Sequence, residues 1–157
     1  MNIGRLTLSD RAAQGVYEDL SGPEIDAILI REFADETPQI TAHILEDDQT
    51  VITAALIRLA DEENCDLVIT TGGTGPGKRD VTPEATRAVV EKELPGFGEM
   101  MRVESFTKVP TAILSRSIAG IRGKTLIINL PGNPKAIGEC LPLLVPAIRE
   151  CLKHLNE

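Results

Sequence analysis

The sequence predicts an α/β domain in which helices flank a largely parallel sheet. Short apolar runs rich in β-branched residues alternate along the chain with longer segments whose apolar residues recur at spacings of three and four. The length of 157 residues is usual for one domain, and 42% hydrophobic with 25% charged residues is typical of globular proteins. Because no linker or repeat interrupts the pattern, residues 1–157 are predicted to form a single domain.

The same alternation predicts the order of the elements. The predicted strands are residues 3–8, 40–45, 67–71, 111–114 and 125–130. The predicted helices are residues 23–33, 50–62, 83–94 and the segment from 134 onward. Asp48 and Asn133 are suited to cap the second and the fourth of these helices. Pro142 and Pro146 each lack an N–H donor, so we expect them to kink the last helix or divide it.

Charge and composition argue against nucleic acid and membrane partners. The formal net charge of -8 repels polyanions and anionic lipid surfaces. One tyrosine, three phenylalanines and no tryptophan offer no stacking platform for bases. No stretch approaches the roughly 20 apolar residues of a membrane span. Three cysteines without a C-x-x-C pair favour a reducing cytoplasm over a disulfide framework or a zinc site.

A glycine-rich segment follows the third predicted strand. Residues 70–80 read TTGGTGPGKRD, and they lead to a helix that begins near Thr82 and Pro83. Glycines permit close backbone approach, while threonine hydroxyls, backbone N–H groups, Lys78 and Arg79 can donate to phosphate oxygens. The spacing G-x-x-x-x-G-K is present, but Arg79 stands where a P-loop has the Ser or Thr that holds magnesium. The segment therefore predicts an anion site, with a P-loop and a ligand-free turn as alternatives.

A second loop also joins a predicted strand to a helix. Residues 129–135 read NLPGNPK, and a proline-glycine turn capped by Asn133 would explain them without a ligand. Because ligands of such folds bind beyond the carboxyl ends of the strands, we expect the two loops to lie at the same edge of the sheet. They would then hold two ends of one ligand, or two ligands side by side.

At this point the residues resemble a known family. Residues 70–86 (TTGGTGPGKRDVTPEAT) are similar to the signature of the bacterial MogA proteins and of the gephyrin and plant G domains. Three further segments agree, namely residues 95–102 (PGFGEMMR), 110–117 (PTAILSRS) and 130–134 (LPGNP). The G-G-T-G part also occurs in MoaB-like and CinA-like proteins, whereas its combination with PGFGEMMR is more specific to the adenylyltransferase branch.

The resemblance implies a fold, an activity and partners. The family fold is a three-layer α/β/α domain of the MogA/MoaB type, and its members commonly form trimers. The implied reaction transfers AMP from ATP to the phosphate of molybdopterin, with release of pyrophosphate, during molybdenum cofactor biosynthesis. The resemblance also implies contact with a molybdenum insertase. A MoaB-like protein that binds or presents molybdopterin without turnover is the alternative.

The resemblance also assigns candidate site residues. Asp80 and Asp47 match two aspartates that the family uses in catalysis, although a shift of one residue would exchange Asp47 for Asp48, which we assign to the helix cap. Two carboxylates beside phosphates require a cation, so both are predicted to hold Mg²⁺. A first-turn residue and a solvated acidic turn are the alternatives for Asp80 and Asp47. The residues predicted to bind substrate or nucleotide are Thr70, Thr71, Gly72, Gly73, Thr74, Gly75, Ser115, Pro131, Gly132, Asn133 and Pro134.

Two neighbours of Ser115 are further candidates. Arg116 and Ser117 follow the predicted strand 111–114, from which a hydroxyl or a guanidinium could reach the phosphate or the ring of the pterin. A polar strand exit without a ligand is the alternative for all three residues.

Overall fold

The computed structural model describes residues 1–157 and contains six strands and six α-helices. The strands are β1 (Asn2–Leu8), β2 (Gln39–Leu45), β3 (Leu67–Thr71), β4 (Lys92–Glu93), β5 (Ala119–Arg122) and β6 (Thr125–Leu130). The helices are α1 (Asp10–Ala13), α2 (Ser21–Glu32), α3 (Gln49–Ile57), α4 (Thr82–Val89), α5 (Pro95–Phe106) and α6 (Pro134–Asn156). Two 3₁₀ segments and one π-helical turn complete the chain: Ala34–Glu36, Pro110–Leu114 and Arg58–Glu62.

The six strands form one sheet in the order β2-β1-β3-β6-β5-β4. The four strands from β2 to β6 are parallel, whereas β5 and β4 run antiparallel to their neighbours. Thr71 at the end of β3 is in register with Thr7 of β1 and Leu130 of β6. The loops that follow these three strands therefore leave the sheet at the same edge.

The core lies on both faces of the sheet. Side chains of successive strand residues alternate, so that Ile3 and Ile128 pack against α2, α5 and α6, while Leu6 and Ile127 pack against α3 and α4. Each of these residues is at most 1% exposed, and full burial of such a side chain contributes about 1.5–3 kcal/mol. This three-layer α/β/α arrangement confirms the predicted fold class.

The predicted strand at residues 111–114 is wrong. Pro110–Leu114 is a 3₁₀ helix in which Ile113 is 66% exposed, and the place beside β6 belongs to β5. A turn at Gly123, where φ is +56°, joins β5 to β6 as an antiparallel hairpin. Sequence reasoning missed β4 and β5 because they have only two and four residues, KE and AGIR, and neither forms an apolar run.

Helix α5 was not predicted either. Gly96 and Gly98 lower the helix propensity of this segment, but Phe97 and Met101 bury their side chains in the core. Gly98 permits close packing, since a Cβ there would collide with the carbonyl oxygen of Ser117. Tertiary packing thus outweighs the local propensity.

The last helix is continuous through both of its prolines, so the predicted division of this helix is wrong. Pro142 is half-buried and Pro146 is exposed, while Leu141, Val145 and Ile148 on the opposite side bury in the core. Water can satisfy the carbonyls that lose their donors on the outer side, while the inner side packs against the core. None of the helices, including this one, has the length and apolar character to cross a membrane.

Candidate active site

A cavity of about 260 Å³ lies beyond the carboxyl ends of β1 and β3. We call it the acidic cavity, because three carboxylates, those of Asp19, Asp47 and Asp80, contribute to its wall. Of the residues predicted to bind substrate, it brings together Thr71, Gly72, Gly73 and Gly132. The predicted edge of the sheet therefore carries a cavity lined by carboxylates and by the start of the glycine-rich loop.

The glycine-rich loop, residues 72–81, begins with two left-handed residues. Gly72 has a φ of +93° and Gly73 a φ of +64°, which side chains with a Cβ rarely adopt. A Cβ at Gly72 would collide with the carbonyl oxygen of Leu8, and one at Gly73 would lie 3.1 Å from Asp47 Oδ1. Thr82 fixes this turn, since its hydroxyl donates to Gly72 O at 2.9 Å and its N–H to Gly73 O at 3.1 Å.

Asp47 follows β2 and presents an unpaired oxygen. Its Oδ2 accepts a hydrogen bond from the N–H of Asp10 at 3.0 Å, and its own N–H donates to Asp10 Oδ1 at 2.9 Å. Asp47 Oδ1 is buried without a hydrogen-bond partner. Burial raises the pKa of Asp47, and the charges of Asp10 and Asp80 act in the same direction, against the lowering effect of the Asp10 backbone bond. A cation would satisfy this oxygen and offset the charges around it.

The loop wraps around the carboxylate of Asp80. Its Oδ2 accepts a hydrogen bond from the N–H of Gly77 at 2.9 Å. A Cβ at Gly75 or Gly77 would approach this oxygen to 2.9 or 2.7 Å, so these glycines make room for it.

Val81 rather than Asp80 is the N-cap residue of α4. Asp48 caps α3 as predicted, accepting from Val51 N at 3.0 Å.

Arg79 lies at the tip of the glycine-rich loop and pairs with Asp10. Its Nε and Nη2 each donate to one carboxylate oxygen of Asp10 at 3.0 Å. These hydrogen bonds hold the pKa of Asp10 below its usual range. Since Asp10 also bonds the backbone of Asp47, this ion pair connects the loop tip to the neighbourhood of the second aspartate.

The second loop packs directly against the first. Thr71 Oγ1 donates to Pro131 O at 2.7 Å, and Ser21 Oγ donates to Gly132 O at 2.6 Å. A Cβ at Gly132 would lie 3.5 Å from the Cα of Gly72. The two loops therefore share one edge of the sheet, as the strand order predicts. Asn133 also caps α6, because its Oδ1 accepts from the Lys135 N–H at 2.9 Å.

A second cavity of about 250 Å³ lies on the other side of this loop. We call it the basic cavity, since its wall contains the cations of Arg102, Lys108 and Lys135 and one carboxylate, that of Glu139. Among the predicted binding residues, it brings together Ser115, Pro131 and Asn133. The second loop thus borders both cavities, with Gly132 in the wall of the acidic one and Pro131 and Asn133 in the wall of the basic one.

Four of the predicted binding residues line neither cavity. Thr74, Gly75 and Pro134 lie outside both walls, the last at the first position of α6. Thr70 is fully buried, and its hydroxyl accepts a hydrogen bond from Asn129 Nδ2 at 3.0 Å. The hydrogen bond of Thr70 belongs to the core of the sheet.

Sequence reasoning missed the acidic residue Asp19 and the buried cation beside it. Asp19 Oδ2 accepts hydrogen bonds from the Thr7 hydroxyl at 2.7 Å and from Arg5 Nη1 at 3.4 Å. Arg5 is 6% exposed and also pairs with both carboxylate oxygens of Asp26. The signal for Arg5 was an arginine inside a largely apolar strand, and Asp19 belongs to the stretch GVYED, residues 15–19, which also resembles the family. The basic residue Arg102 was also missed, although it ends the segment PGFGEMMR.

Comparisons with known proteins agree with this arrangement. Residues 4–150 match the family model described as "Probable molybdopterin binding domain". The molybdopterin adenylyltransferase of Helicobacter pylori J99 is 55% identical over 152 residues, which cover 97% of this chain and 86% of that protein. The enzyme of the same name from Escherichia coli K12 is 49% identical over 142 residues, covering 90% and 72%.

Solved structures have the same fold. MoaB of Thermus thermophilus superimposes with a TM-score of 0.87 at 39% identity, covering 98% of this chain and 95% of that one. The Mog protein of Mycobacterium ulcerans superimposes with a TM-score of 0.86 at 34% identity, covering 98% of each chain. The predicted resemblance is thereby confirmed, and the chain belongs to the molybdopterin-binding domain family.

Proposed function

We propose that this chain transfers the adenylyl group of ATP to the phosphate of molybdopterin and releases pyrophosphate. The observation that carries the proposal is the pair Asp47 and Asp80 at the glycine-rich loop, with one buried carboxylate oxygen left without a partner. The names of the relatives at 49–55% identity support it. In this proposal, residues 1–157 act as one catalytic domain.

The reaction places demands on the site that its residues can meet. A phosphate oxygen of molybdopterin attacks the α-phosphorus of ATP, a P–O bond forms, and pyrophosphate leaves with the electrons of the bond that breaks. No covalent enzyme intermediate is required, so positioning and charge neutralisation provide the acceleration. Gly72 and Gly73 bring backbone close to the phosphates, and Thr71 holds the second loop against the first.

The residues of the acidic cavity fit a magnesium ion. Mg²⁺ commonly binds one or two carboxylates together with substrate phosphates, and Asp47 and Asp80 would supply the carboxylates. When bound, the ion would neutralise charge on the phosphates. The unpaired Asp47 Oδ1 and the raised pKa of this carboxyl support such a role, because both indicate a missing positive partner.

The basic cavity provides a place for the pterin substrate. Arg102 and Lys135 would attract an anionic group, while Lys108 is paired with Glu104 and Glu139. The loop around Pro131 and Asn133 borders this cavity. With ATP on the acidic side and molybdopterin on the basic side, the two substrates would meet across this loop. We therefore retain Ser115, Pro131, Gly132 and Asn133 as proposed substrate residues.

We also propose that the chain forms a homotrimer, that it contacts a partner enzyme, and that it works in a reducing compartment. Seven large apolar side chains are exposed on α5, on α6 and in the segment 109–114, and α5 packs against the other two. We call this set the apolar face: Met100, Val103, Phe106, Val109, Ile113, Leu114 and Leu143. Exposed apolar patches of this kind mark protein contacts, and we assign this one to other copies of the chain. Contact with a molybdenum insertase remains part of the proposal. The three free thiols of this chain suit a reducing compartment such as the cytoplasm.

The deciding experiment measures pyrophosphate. The protein is incubated with molybdopterin, ATP and Mg²⁺, and we expect pyrophosphate release that requires all three. Tight binding of molybdopterin without pyrophosphate above background would refute the proposal and favour a binding or scaffold protein. ATP hydrolysis in the absence of molybdopterin would instead indicate a P-loop type of activity.

Replacement of Asp80 by Asn tests the role of the loop carboxylate. We expect kcat to fall by roughly 100-fold or more, because a charge that acts mainly in the transition state is removed. Molybdopterin binding, measured by fluorescence titration, should change little, since the basic cavity is unaltered. A loss of binding as large as the loss of turnover would instead indicate a structural role for Asp80.

A further inference from the structure

The side chain of Arg116 contacts the glycine-rich loop and lines neither cavity. Its Nε donates to Gly75 O at 2.9 Å, and its Nη2 donates to Asp80 O at 2.9 Å. Its backbone N–H donates to Thr74 O at 2.8 Å. One residue thus satisfies three carbonyl oxygens of the loop, on both sides of the loop tip. The expectation that Arg116 reaches the pterin has no support in this geometry.

The bonds inside the loop do not fix its position on the protein. The N–H of Asp80 donates to Gly77 O at 3.0 Å, and Asp80 Oδ2 accepts from Gly77 N at 2.9 Å. These bonds close the tip on itself. Thr82 anchors only the start of the loop, at Gly72 and Gly73. The exposed tip between them is tied to Asp10 by Arg79, whereas Arg116 bonds the loop backbone on both sides of the tip.

Arg116 is itself held from two sides. The Glu84 carboxylate, in the first turn of α4, accepts from the guanidinium of Arg116, and this contact lowers the pKa of Glu84. On the other side, the next residue, Ser117, is 1% exposed, and its carbonyl accepts from Arg102 Nη1 at 2.9 Å. These contacts fix the position of the Arg116 guanidinium relative to α4 and to Arg102, so that it can in turn position the loop.

We infer that Arg116 is a positioning residue, which holds Gly75 and the backbone of Asp80 so that the Asp80 carboxylate lies in the wall of the acidic cavity. Its planar guanidinium can donate to both carbonyls and to Glu84 at once, which the single ammonium of lysine cannot reproduce. The kinetic consequences rest on the proposed adenylyl transfer, whereas the restraint of the loop does not.

The kinetic test compares Arg116→Gln with Arg87→Gln. Arg87 is also an arginine paired with a glutamate, Glu93 at 2.8 Å, but it is exposed and makes no hydrogen bond to the loop. We expect kcat of Arg116→Gln to fall by about 10- to 100-fold, because small misplacements of reacting groups have effects of this size. The KM for molybdopterin should change much less, and Arg87→Gln should match the wild type. Added guanidinium ion should restore part of the activity lost in Arg116→Ala.

A second test needs no activity. Trypsin cleaves after Lys78 and Arg79 when the loop tip leaves the surface, so the cleavage rate there reports the restraint directly. We expect faster cleavage at these bonds in Arg116→Gln and in Glu84→Gln than in the wild type and in Arg87→Gln, with equal Tm values. If Arg116→Gln fails to fold, Arg116→Lys and Glu84→Gln provide the same comparison.

The outcomes separate this inference from the proposed function. A folded Arg116→Gln variant with wild-type kcat and wild-type loop cleavage overturns the positioning role. Absence of pyrophosphate release by the wild type refutes the proposed function alone, and the cleavage rates then decide whether Arg116 restrains the loop. A KM and a kcat that worsen together, without guanidinium rescue, contradict positioning of Asp80 and indicate general loss of structure.

Discussion

In the free protein, the carboxylate of Asp47 destabilises the native state, and a bound cation would remove this destabilisation. Its Oδ1 is buried without a partner, and burial, together with the charges of Asp10 and Asp80, raises its pKa. A buried and incompletely paired charge destabilises the native state. Functional sites often retain such destabilising groups because ligand binding needs them.

The replacement Asp47→Asn should therefore stabilise the free protein while it inactivates the enzyme. The pKa of Asp47 in the native state lies above the unfolded value of about 4. The destabilisation by its ionised carboxyl is therefore absent below about pH 4. It grows as the pH rises through the native pKa, and it is complete at neutral pH. We expect a higher Tm than the wild type at pH 7, with a difference that shrinks as the pH is lowered towards 4. Turnover should fall by roughly 100-fold.

Asp48→Asn provides the matched control for this variant. Asn caps a helix as well as Asp does, so the bond to Val51 N persists, and both Tm and turnover should stay close to those of the wild type. Loss of turnover in Asp48→Asn with retention in Asp47→Asn would mean that the functional aspartate is one residue later. Thermal unfolding between pH 4 and 8 and pyrophosphate release measure the two effects.

At the scale of elements, the glycine-rich loop depends on its first residue. Gly72 combines a positive φ with a position at which a Cβ would meet the backbone carbonyl of Leu8. The Leu8 carbonyl belongs to the backbone at the end of a buried strand, so it cannot move away from an added Cβ as the end of a flexible side chain could. The loop therefore tolerates no side chain at this point, irrespective of its ligand.

We expect Gly72→Ala to lower the free energy of unfolding by about 3 kcal/mol, since left-handed strain and overpacking add. Gly123→Ala is the control, because Gly123 has a φ of +56° but no atom within 4 Å of an added Cβ. That variant should lose only the strain, about 1–2 kcal/mol. Urea unfolding measures both. Equal losses would show that the close approach to Leu8 is not limiting.

Elements with a strong periodic pattern could be predicted from the sequence, and elements that depend on a neighbour could not. Strands β1, β2, β3 and β6 lie within one residue of their predicted bounds. Burial on both faces gives β1, β3 and β6 an apolar run, whereas the edge strand β2 was recognised by its β-branched residues. Pro110–Leu114 has a similar apolar run but no neighbouring strand, so it folds as a 3₁₀ helix. Helix α5 shows the opposite case, in which contacts with the core stabilise a segment of low propensity.

At the scale of the whole molecule, packing within a single chain leaves the large side chains of the apolar face exposed. Val103 is 65% exposed and Ile113 is 66% exposed, and both belong to segments that border the basic cavity. Large apolar side chains in such number favour burial between chains. The proposed trimer would thus form beside the proposed pterin site.

The replacements Val103→Glu and Ile113→Glu should dissociate this assembly, since burial of an unpaired carboxylate at an interface is unfavourable. Light scattering coupled to gel filtration should show the mass of one 16.9 kDa chain for each variant and a larger mass for the wild type. Ile44→Glu is the control, because Ile44 is 44% exposed on β2, at the opposite edge of the sheet. A wild-type chain that is monomeric at all concentrations would refute the trimer.

The sequence by itself determined the α/β class, the buried parallel strands, the two loops and the two candidate aspartates. These features depend on local patterns of burial, on glycine and on a motif, all of which are written along the chain. The tertiary structure alone placed Asp19 in the wall of the acidic cavity beside the buried Arg5, and brought the guanidinium of Arg116 to backbone carbonyls of the glycine-rich loop. Such contacts join residues far apart in sequence, and only the order and register of the strands bring them together.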